Sequence, residues 1–342
     1  MLKFAKLSVE ERTPYFEEVA HRRAIRQLIV EKDFWVCFIL DCLFSVPKLK
    51  ENLVFKGGTS LSKVFGIIKR FSEDIDLTID PSWCGFNDEN LPKKVDSRTK
   101  QKRSCDKLRN ECAKKVQNEI QSFLEEKVKD KLGPPDSHNR YLNYNFDEES
   151  KSPILIFRYP TRADTSEGYN LPHVKMEFGS HAGTKPNGIY TIISWVAVEF
   201  PELFESPKFK IVSLNAERTF WEKVTILHAE YHRDKTSPMR MRLSRDFYDL
   251  YCMAEHELGK KALNNFGLLK EVVEHKQLYF FSARAKYEEA KPGTLCLVPP
   301  DFRLSELESD YEKMKEMFTE DPPNFNELIS KIQEIENHIN KS

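Results

Sequence analysis

Residues 55–80, from Phe55 to Asp80, read FKGGTSLSKVFGIIKRFSEDIDLTID. The glycine pair Gly57–Gly58 lets the backbone turn sharply and approach a ligand closely. Thr59 and Ser60 follow at what reads as the start of a helix, where free N–H groups suit a phosphate. TSLSKVFGIIK predicts a short helix with Leu61, Val64, Phe65 and Ile68 on one face. SEDIDLTID then alternates: Ile75, Leu77 and Ile79 fall on one side of a half-buried strand, with Asp74, Asp76 and Thr78 on the other. Carboxylates two residues apart on a strand share a face, and Mg²⁺ takes hard oxygen ligands while keeping phosphate oxygens as the rest. Each half has a plain explanation, a helix-capping turn and a solvated strand face. At this spacing, across a predicted strand–helix–strand, the two together read as a nucleotide site with its metal.

Outward from this stretch, NLVFKGG reads as a short buried strand closed by glycines. Residues 14–46 carry apolar side chains at three- and four-residue spacing and predict helix, with Pro14 suited to a first turn. Lys93 to Lys115 holds ten basic and three acidic residues, an excess of +7, and predicts a charged helical insertion or hairpin. Between 153 and 214, PILIFRYP, HVKMEFGS, GIYTIISWVAVEF and FKIVSL predict strands. Asn215 is a good cap for AERTFWEKVTILHAEYHR, and SRDFYDLYCMAEH predicts a second helix. Two or three weaker helices follow, with a break at FTEDPPNFN before the last. One early βαβ within a strand-rich middle, flanked by helices, favours a mixed α/β (α+β) core. The expected organisation is a domain over 1–214, with an insertion at about 91–135, and a C-terminal helical domain over 215–342 that completes the site.

The 342-residue chain is 40% apolar and 31% charged, a globular composition, and its net charge of −1 neither supports nor excludes a nucleic-acid partner. Seven cysteines without a CxxC pair give neither a disulfide framework nor a zinc signature. The start MLKFAKLSVEERTPY has too short an apolar run for a signal peptide, and no run approaches the ~20 residues of a membrane span. The expectation is a cytoplasmic protein without membrane contact. His228 and His232 have metal-binding i, i+4 spacing, but no third ligand stands near them in the sequence, so a metal role is discounted.

GGTSLSKVFGIIKRFSEDIDL resembles the first motif of the nucleotidyltransferase superfamily that includes DNA polymerase β. KGGTSLSK followed by RFSEDIDL is similar, more narrowly, to the AbiEii/AbiGii toxin family of type IV toxin–antitoxin and abortive-infection systems, related to the MenT toxins. EKDFWV at 31–36, ERTFWEKVTILH at 217–228 and SRDFYDLY at 244–251 match further landmarks of that family in the expected order. The resemblance covers roughly residues 25 to 260. It implies a polymerase-β-like core, an NTP substrate, Mg²⁺ or Mn²⁺, and a tRNA acceptor used in phage defence, with a cognate antitoxin acting indirectly.

Carried over residue by residue, the resemblance assigns Lys56, Gly57, Gly58, Thr59 and Ser60 to the triphosphate. It assigns Asp74 and Asp76 to the metals. Ser72 stands where some members carry a phosphorylated serine. Glu177 fits the third acid, because it alternates outward with Lys175 while Val174, Met176 and Phe178 face the other way. A solvated strand carboxylate is its bland reading. Lys223, at the edge of the stripe Phe220, Trp221, Val224, Leu227 and Tyr231, matches a family lysine that pairs with an acid on the next helix, although a lysine there is commonly a snorkelling surface residue. That acid is Asp246 or Asp249, with the pattern inclining towards Asp249. Surface pairs with Arg242 and Arg245, four residues before each, are the alternative. Arg70, Arg158, Lys175, Lys185 and Arg218 are further candidates for nucleotide or RNA contact, and the Lys93–Lys115 run could follow a phosphate backbone.

The implied activity is transfer of NMP from NTP to RNA, at the tRNA 3′ end. Two other readings stand beside it: an NTP-binding interaction module without transfer, and a transferase directed at protein hydroxyls such as that of Ser72.

Overall fold

Ser8 starts the second helix by accepting a hydrogen bond from the Glu11 amide, while the Glu11 carboxylate reaches back to the Ser8 amide. That capping box moves the helix start ahead of Pro14, which lies inside the helix rather than in its first turn. The computed structural model describes residues 1–135, 140–148, 150–161 and 172–342. The chain runs through α1 (Leu2–Ala5), α2 (Val9–Arg23), α3 (Gln27–Ser45) and α4 (Pro47–Asn52). Ala24, at φ 52°, ends α2, so the expected single helical region is two helices. α3 is buried almost throughout, from Ile29 to Phe44, and even Glu31, Lys32 and Asp33 are covered.

The strands are β1 (Leu53–Lys56), β2 (Ile75–Ile79), β3 (Leu142–Asp147), β4 (Ser152–Arg158), β5 (His173–Gly179), β6 (Asn187–Ile193) and β7 (Lys208–Leu214). They form one sheet in the order β3-β4-β5-β2-β1-β7-β6. The sheet is mixed, as expected: β1–β7 and β2–β5 are parallel, while β1–β2, β3–β4 and β4–β5 are antiparallel. The early strand–helix–strand is therefore not a parallel crossover, because β1 and β2 pair directly and antiparallel. Its helix α5 (Gly57–Lys63) is also shorter than expected. Gly66 takes φ +64° and turns the chain, leaving Ile68 beyond the helix. Two further differences concern the middle. GIYTIISWVAVEF is a strand only to Ile193; Ser194 then caps a helical turn, Trp195–Glu199. LNYNFD, polar at alternate positions, forms β3 at a sheet edge, where such residues can face water.

The charged segment is helical from Arg98 to Leu132 and not a hairpin. Its buried residues Leu108, Cys112, Val116, Ile120, Leu124 and Val128 recur every fourth position. Such a stripe drifts around a 3.6-residue helix, and one wider π turn at Val116–Ile120 takes up part of the drift. Four of its basic side chains pair with nearby acids, in Lys100–Asp96, Arg109–Asp106, Lys114–Glu111 and Lys115–Glu119.

Two units divide the chain: Met1–Val64, Ser72–Leu91 and Ser104–Ser213 form the first; Phe65–Phe71, Pro92–Arg103 and Leu214–Ser342 form the second. In the first, rings of α3 pack on the sheet, with Trp35 stacked on Tyr159 at 5.4 Å and Phe38 on Phe157 at 6.0 Å. The second is helical, comprising Ala216–Tyr231, Ser244–Glu255, Glu257–Leu263, Phe266–Tyr279, Asp301–Glu312 and Phe325–Lys341. Asn215 occupies the cap position of the first of these without a side-chain capping bond. An irregular stretch with only short 3₁₀ turns, Ala283–Ala285 and Tyr287–Glu289, lies before Asp301. No helix among the described residues is long and apolar enough to cross a membrane.

Candidate active site

In the first unit, the parallel register of β2 and β5 sets Asp76 directly beside Glu177. Burial alternates on both: Asp74 and Asp76 are half-buried around the covered Ile75, and Lys175 and Glu177 alternate with the covered Val174, Met176 and Phe178. Three carboxylates thus gather on adjacent strands. The shared face closes at Thr78, which is fully buried rather than alternating outward with the acids. Lys175 pairs with Glu177. Burial would lower the lysine's pKa, but the Glu177 hydrogen bond and the charges of Glu177 and Asp74 raise it above the usual value.

Gly57 lies against this acidic cluster. It has φ +78°, and a Cβ there would lie 2.0 Å from Asp76 Oδ2. Only a glycine admits this approach of backbone to carboxylate. On the β1–β2 ladder, Lys56 is the register partner of Asp76. Thr59 and Ser60 are buried, and their hydroxyls serve the loop itself. Thr59 donates to the Asp74 carbonyl at 2.5 Å with the Ser72 hydroxyl 3.0 Å away, and Ser60 donates to the Gly57 carbonyl at 2.8 Å. With their hydroxyls so engaged, Thr59 and Ser60 hold the loop's shape, and no side-chain cap from Lys56 covers the amides at the start of α5.

The EKDFWV motif gains a physical role that its sequence alone did not reveal. Lys32 forms a buried ion pair with Glu73, the neighbour of Asp74. Asp33 forms another with Lys63, at the end of α5, and its second oxygen accepts the Trp195 amide at 2.8 Å. Successive residues of α3 therefore hold the two ends of the connection from α5 to β2. Burial of three consecutive charges had no visible reason in the sequence, because Lys63 lies 30 residues from Asp33, Glu73 lies 41 from Lys32, and Thr161, which donates to Glu31, lies 130 away.

In the second unit, Lys223 is buried and bridges both candidate acids, with Nζ 2.7 Å from Asp246 Oδ1 and 2.8 Å from Asp249 Oδ2. It is not a snorkelling surface residue. The two acids differ. Asp249 is fully covered, and Arg70 clamps it through Nε–Oδ1 at 2.7 Å and Nη2–Oδ2 at 2.8 Å. Asp246 is 8% exposed and takes Arg240 as its second partner. Arg242 donates its backbone amide to Asp310 at 3.2 Å and Arg245 Nη2 lies 3.3 Å from Met317 Sδ, while Lys223, Arg240 and Arg70 engage the two acids. Burial would raise the Asp249 pKa, but Arg70 and Lys223 bring it down to about 2. Asp246 is lowered likewise, as Lys223 and Arg240 outweigh its burial. Burial would lower Lys223, but Asp246 and Asp249 hold it above the ordinary lysine value.

Of the remaining basic candidates, Arg70 is committed to Asp249, Lys175 to Glu177 and the buried Arg218 to Glu222. Arg158 and Lys185 are exposed. Cys296 comes close to both His228 and His232, the pair that the sequence discounted as metal ligands for want of a third group.

The sequence model of the family described as "Nucleotidyl transferase AbiEii toxin, Type IV TA system" matches residues 39–332. No curated protein matches the chain. Among solved structures, it is similar to MenT4, a nucleotidyltransferase toxin from Mycobacterium tuberculosis H37Rv, at 17% identity and a TM-score of 0.43, over 95% of this chain and 97% of that one. The family match spans most of the chain: the protein belongs to the AbiEii nucleotidyltransferase toxins of type IV toxin–antitoxin systems.

Proposed function

With membership of that family as the premise, we propose that the protein transfers a nucleoside monophosphate from an NTP to an RNA acceptor, the 3′ end of tRNA, and thereby stops translation. The observation that carries this reading is the cluster of Asp74, Asp76 and Glu177, with Asp76 and Glu177 in register and the Gly57 backbone against Asp76. A set of carboxylate oxygens suits Mg²⁺ or Mn²⁺. Asp74, Asp76 and Glu177 would hold the metal, which neutralises charge on the transferring phosphate when bound.

The remaining chemistry falls to the chain itself. Lys56 and the amides of the Gly57–Ser60 loop would hold the β- and γ-phosphates. The acceptor hydroxyl gives its proton to a carboxylate, for which Glu177 is the candidate. The new oxygen–phosphorus bond forms at the α-phosphate as the bond to the β-phosphate oxygen breaks, and pyrophosphate leaves. The Lys223–Asp246–Asp249 group is the second element that the resemblance assigns to the reaction. A cognate antitoxin is the partner expected for a toxin of this type.

Incubation of the purified protein with each α-labelled NTP, Mg²⁺ and total tRNA tests the reading. Label on tRNA, lost in an Asp74→Ala/Asp76→Ala double variant, is the expected result. Label on protein would assign the transfer to hydroxyls such as that of Ser72, and NTP retention without transfer would make the protein a binding module.

A further inference from the structure

The second unit contains a group of side chains that the transfer reaction does not use. His228, on the helix Ala216–Tyr231, and His232, which caps that helix, approach Cys296 from the irregular stretch before Asp301. One potential ligand atom from each lies within 4.8 Å of the other two. In a tetrahedral site with Zn–N of about 2.0–2.1 Å and Zn–S of about 2.3 Å, neighbouring ligand atoms sit about 3.5 Å apart. The three groups therefore need to close by about an ångström to hold one ion.

Hydrogen bonding sets the two imidazoles up differently. His228 Nε2 meets the Lys286 carbonyl at 3.1 Å, so that nitrogen carries the proton and Nδ1 carries the lone pair. A histidine that donates one N–H to a backbone carbonyl and presents its other nitrogen is the usual arrangement at a metal, because the carbonyl fixes both tautomer and ring orientation. Nδ1 now accepts the Cys296 amide at 3.2 Å, a long bond that a metal would replace. His232 Nε2 is buried with no hydrogen-bond partner, and the nearest carboxylate oxygen, of Glu289, is 4.0 Å away. A buried ring nitrogen left unpaired is costly, and an ion is one of the few things that repays it.

We propose that His228 Nδ1, His232 Nε2 and the Cys296 thiolate bind a zinc-class divalent ion, with Glu289 or water completing a tetrahedron. Two imidazoles and a sulfur select a borderline-soft metal over Mg²⁺, which separates this site from the carboxylate cluster. Its role is to clip the irregular stretch that carries Lys286, Glu289 and Cys296 onto the helix that bears Lys223. A stretch with little regular hydrogen bonding gains most from such a cross-link.

The test is titration of the metal-free full-length protein with Zn²⁺ and, separately, with Co²⁺. The expected result is one tight Zn²⁺ per chain, a rise in Tm, and a thiolate-to-cobalt charge-transfer band in the near ultraviolet. The band should vanish in Cys296→Ser and persist in Cys252→Ser, which removes the other partly exposed cysteine. His232→Gln should weaken Zn²⁺ binding at least tenfold. A wild-type protein without the band, or a band that survives Cys296→Ser, overturns the proposal even if His232→Gln fails to fold. Metal held at Asp74, Asp76 and Glu177 has only oxygen ligands and gives no such band, so the result stands apart from the transfer reading.

Discussion

Arg70 and Asp249 face each other as a fully covered, two-bond pair, with Nε–Oδ1 at 2.7 Å and Nη2–Oδ2 at 2.8 Å. This clamp separates the roles of two acids between which the family resemblance inclined towards Asp249. Asp249 has both oxygens engaged by Arg70 and one shared with Lys223, whereas Asp246 sits at the edge with Arg240. Breaking a buried pair by removing one partner costs about 3–5 kcal/mol, because a charge stays buried and uncompensated. Arg70→Ala and Asp249→Ala should each lose stability on that scale in urea denaturation. Asp246→Asn should lose activity with a much smaller change in midpoint. Equal midpoints for the Asp246 and Asp249 variants would refute this division.

The same cluster predicts how stability follows pH. Asp249 is held at about 2 against an ordinary 3.8, so its contribution is present above the ordinary value and is lost as pH falls from about 4 towards 2. Lys223 is raised above 10.5, so its contribution is complete below 10.5 and is lost only as pH climbs through the raised value. Thermal midpoints of the wild type should therefore fall steeply below pH 4. Asp249→Asn should show a shallower fall over that interval.

Gly57→Ala should damage the acidic cluster directly. At φ +78° any side chain is strained, and the new Cβ would lie 2.0 Å from Asp76 Oδ2, so the carboxylate must move. Gly66→Ala is the matched comparison: φ is +64°, but nothing lies within 4 Å of the added carbon. Backbone strain of roughly 1–2 kcal/mol applies to both. Nucleotide transfer should drop at least tenfold in Gly57→Ala alone, measured as kcat/KM on folded protein.

The ion pairs of α3 should couple to activity. Lys32→Met leaves Glu73 buried without its cation, one residue from Asp74, and should lower both Tm and kcat. Adding Glu73→Gln removes the stranded charge and should restore much of the Tm. A double-mutant cycle on Tm that returns no coupling between the two positions would show that the pair does not act as a unit.

Chelation with EDTA should abolish transfer, and added Mg²⁺ or Mn²⁺ should restore it. Activity that persists in EDTA would exclude the carboxylates as a metal seat.

Local pattern alone determined a good deal: the strand at 53–56, the glycine turn, the alternating DID strand, the outward pair Lys175 and Glu177, and the helices bearing Lys223, Asp246 and Asp249. Each depends on periodicity or turn chemistry within a few residues, which a sequence displays directly. Sheet order was not legible. The antiparallel pairing of β1 with β2, and the register that sets Asp76 beside Glu177, depend on which edges meet in three dimensions. The end of α5 was misplaced because the apolar spacing ran on through Gly66, whose left-handed turn is compatible with the same residues.

Charge burial was decided by tertiary structure throughout. Lys32, Asp33, Arg70 and Asp249 look like surface residues in the sequence, since an isolated charge belongs in water. Each is covered because an opposite charge far along the chain arrives to offset its desolvation. The same holds for His228, His232 and Cys296, whose grouping needs the chain to return from residue 296 to a helix that ends at Tyr231. The sequence determined which groups were chemically able to act. Long-range folding decided which of them face one another, because the energy of a buried charge or an unpaired nitrogen belongs to its neighbours in space.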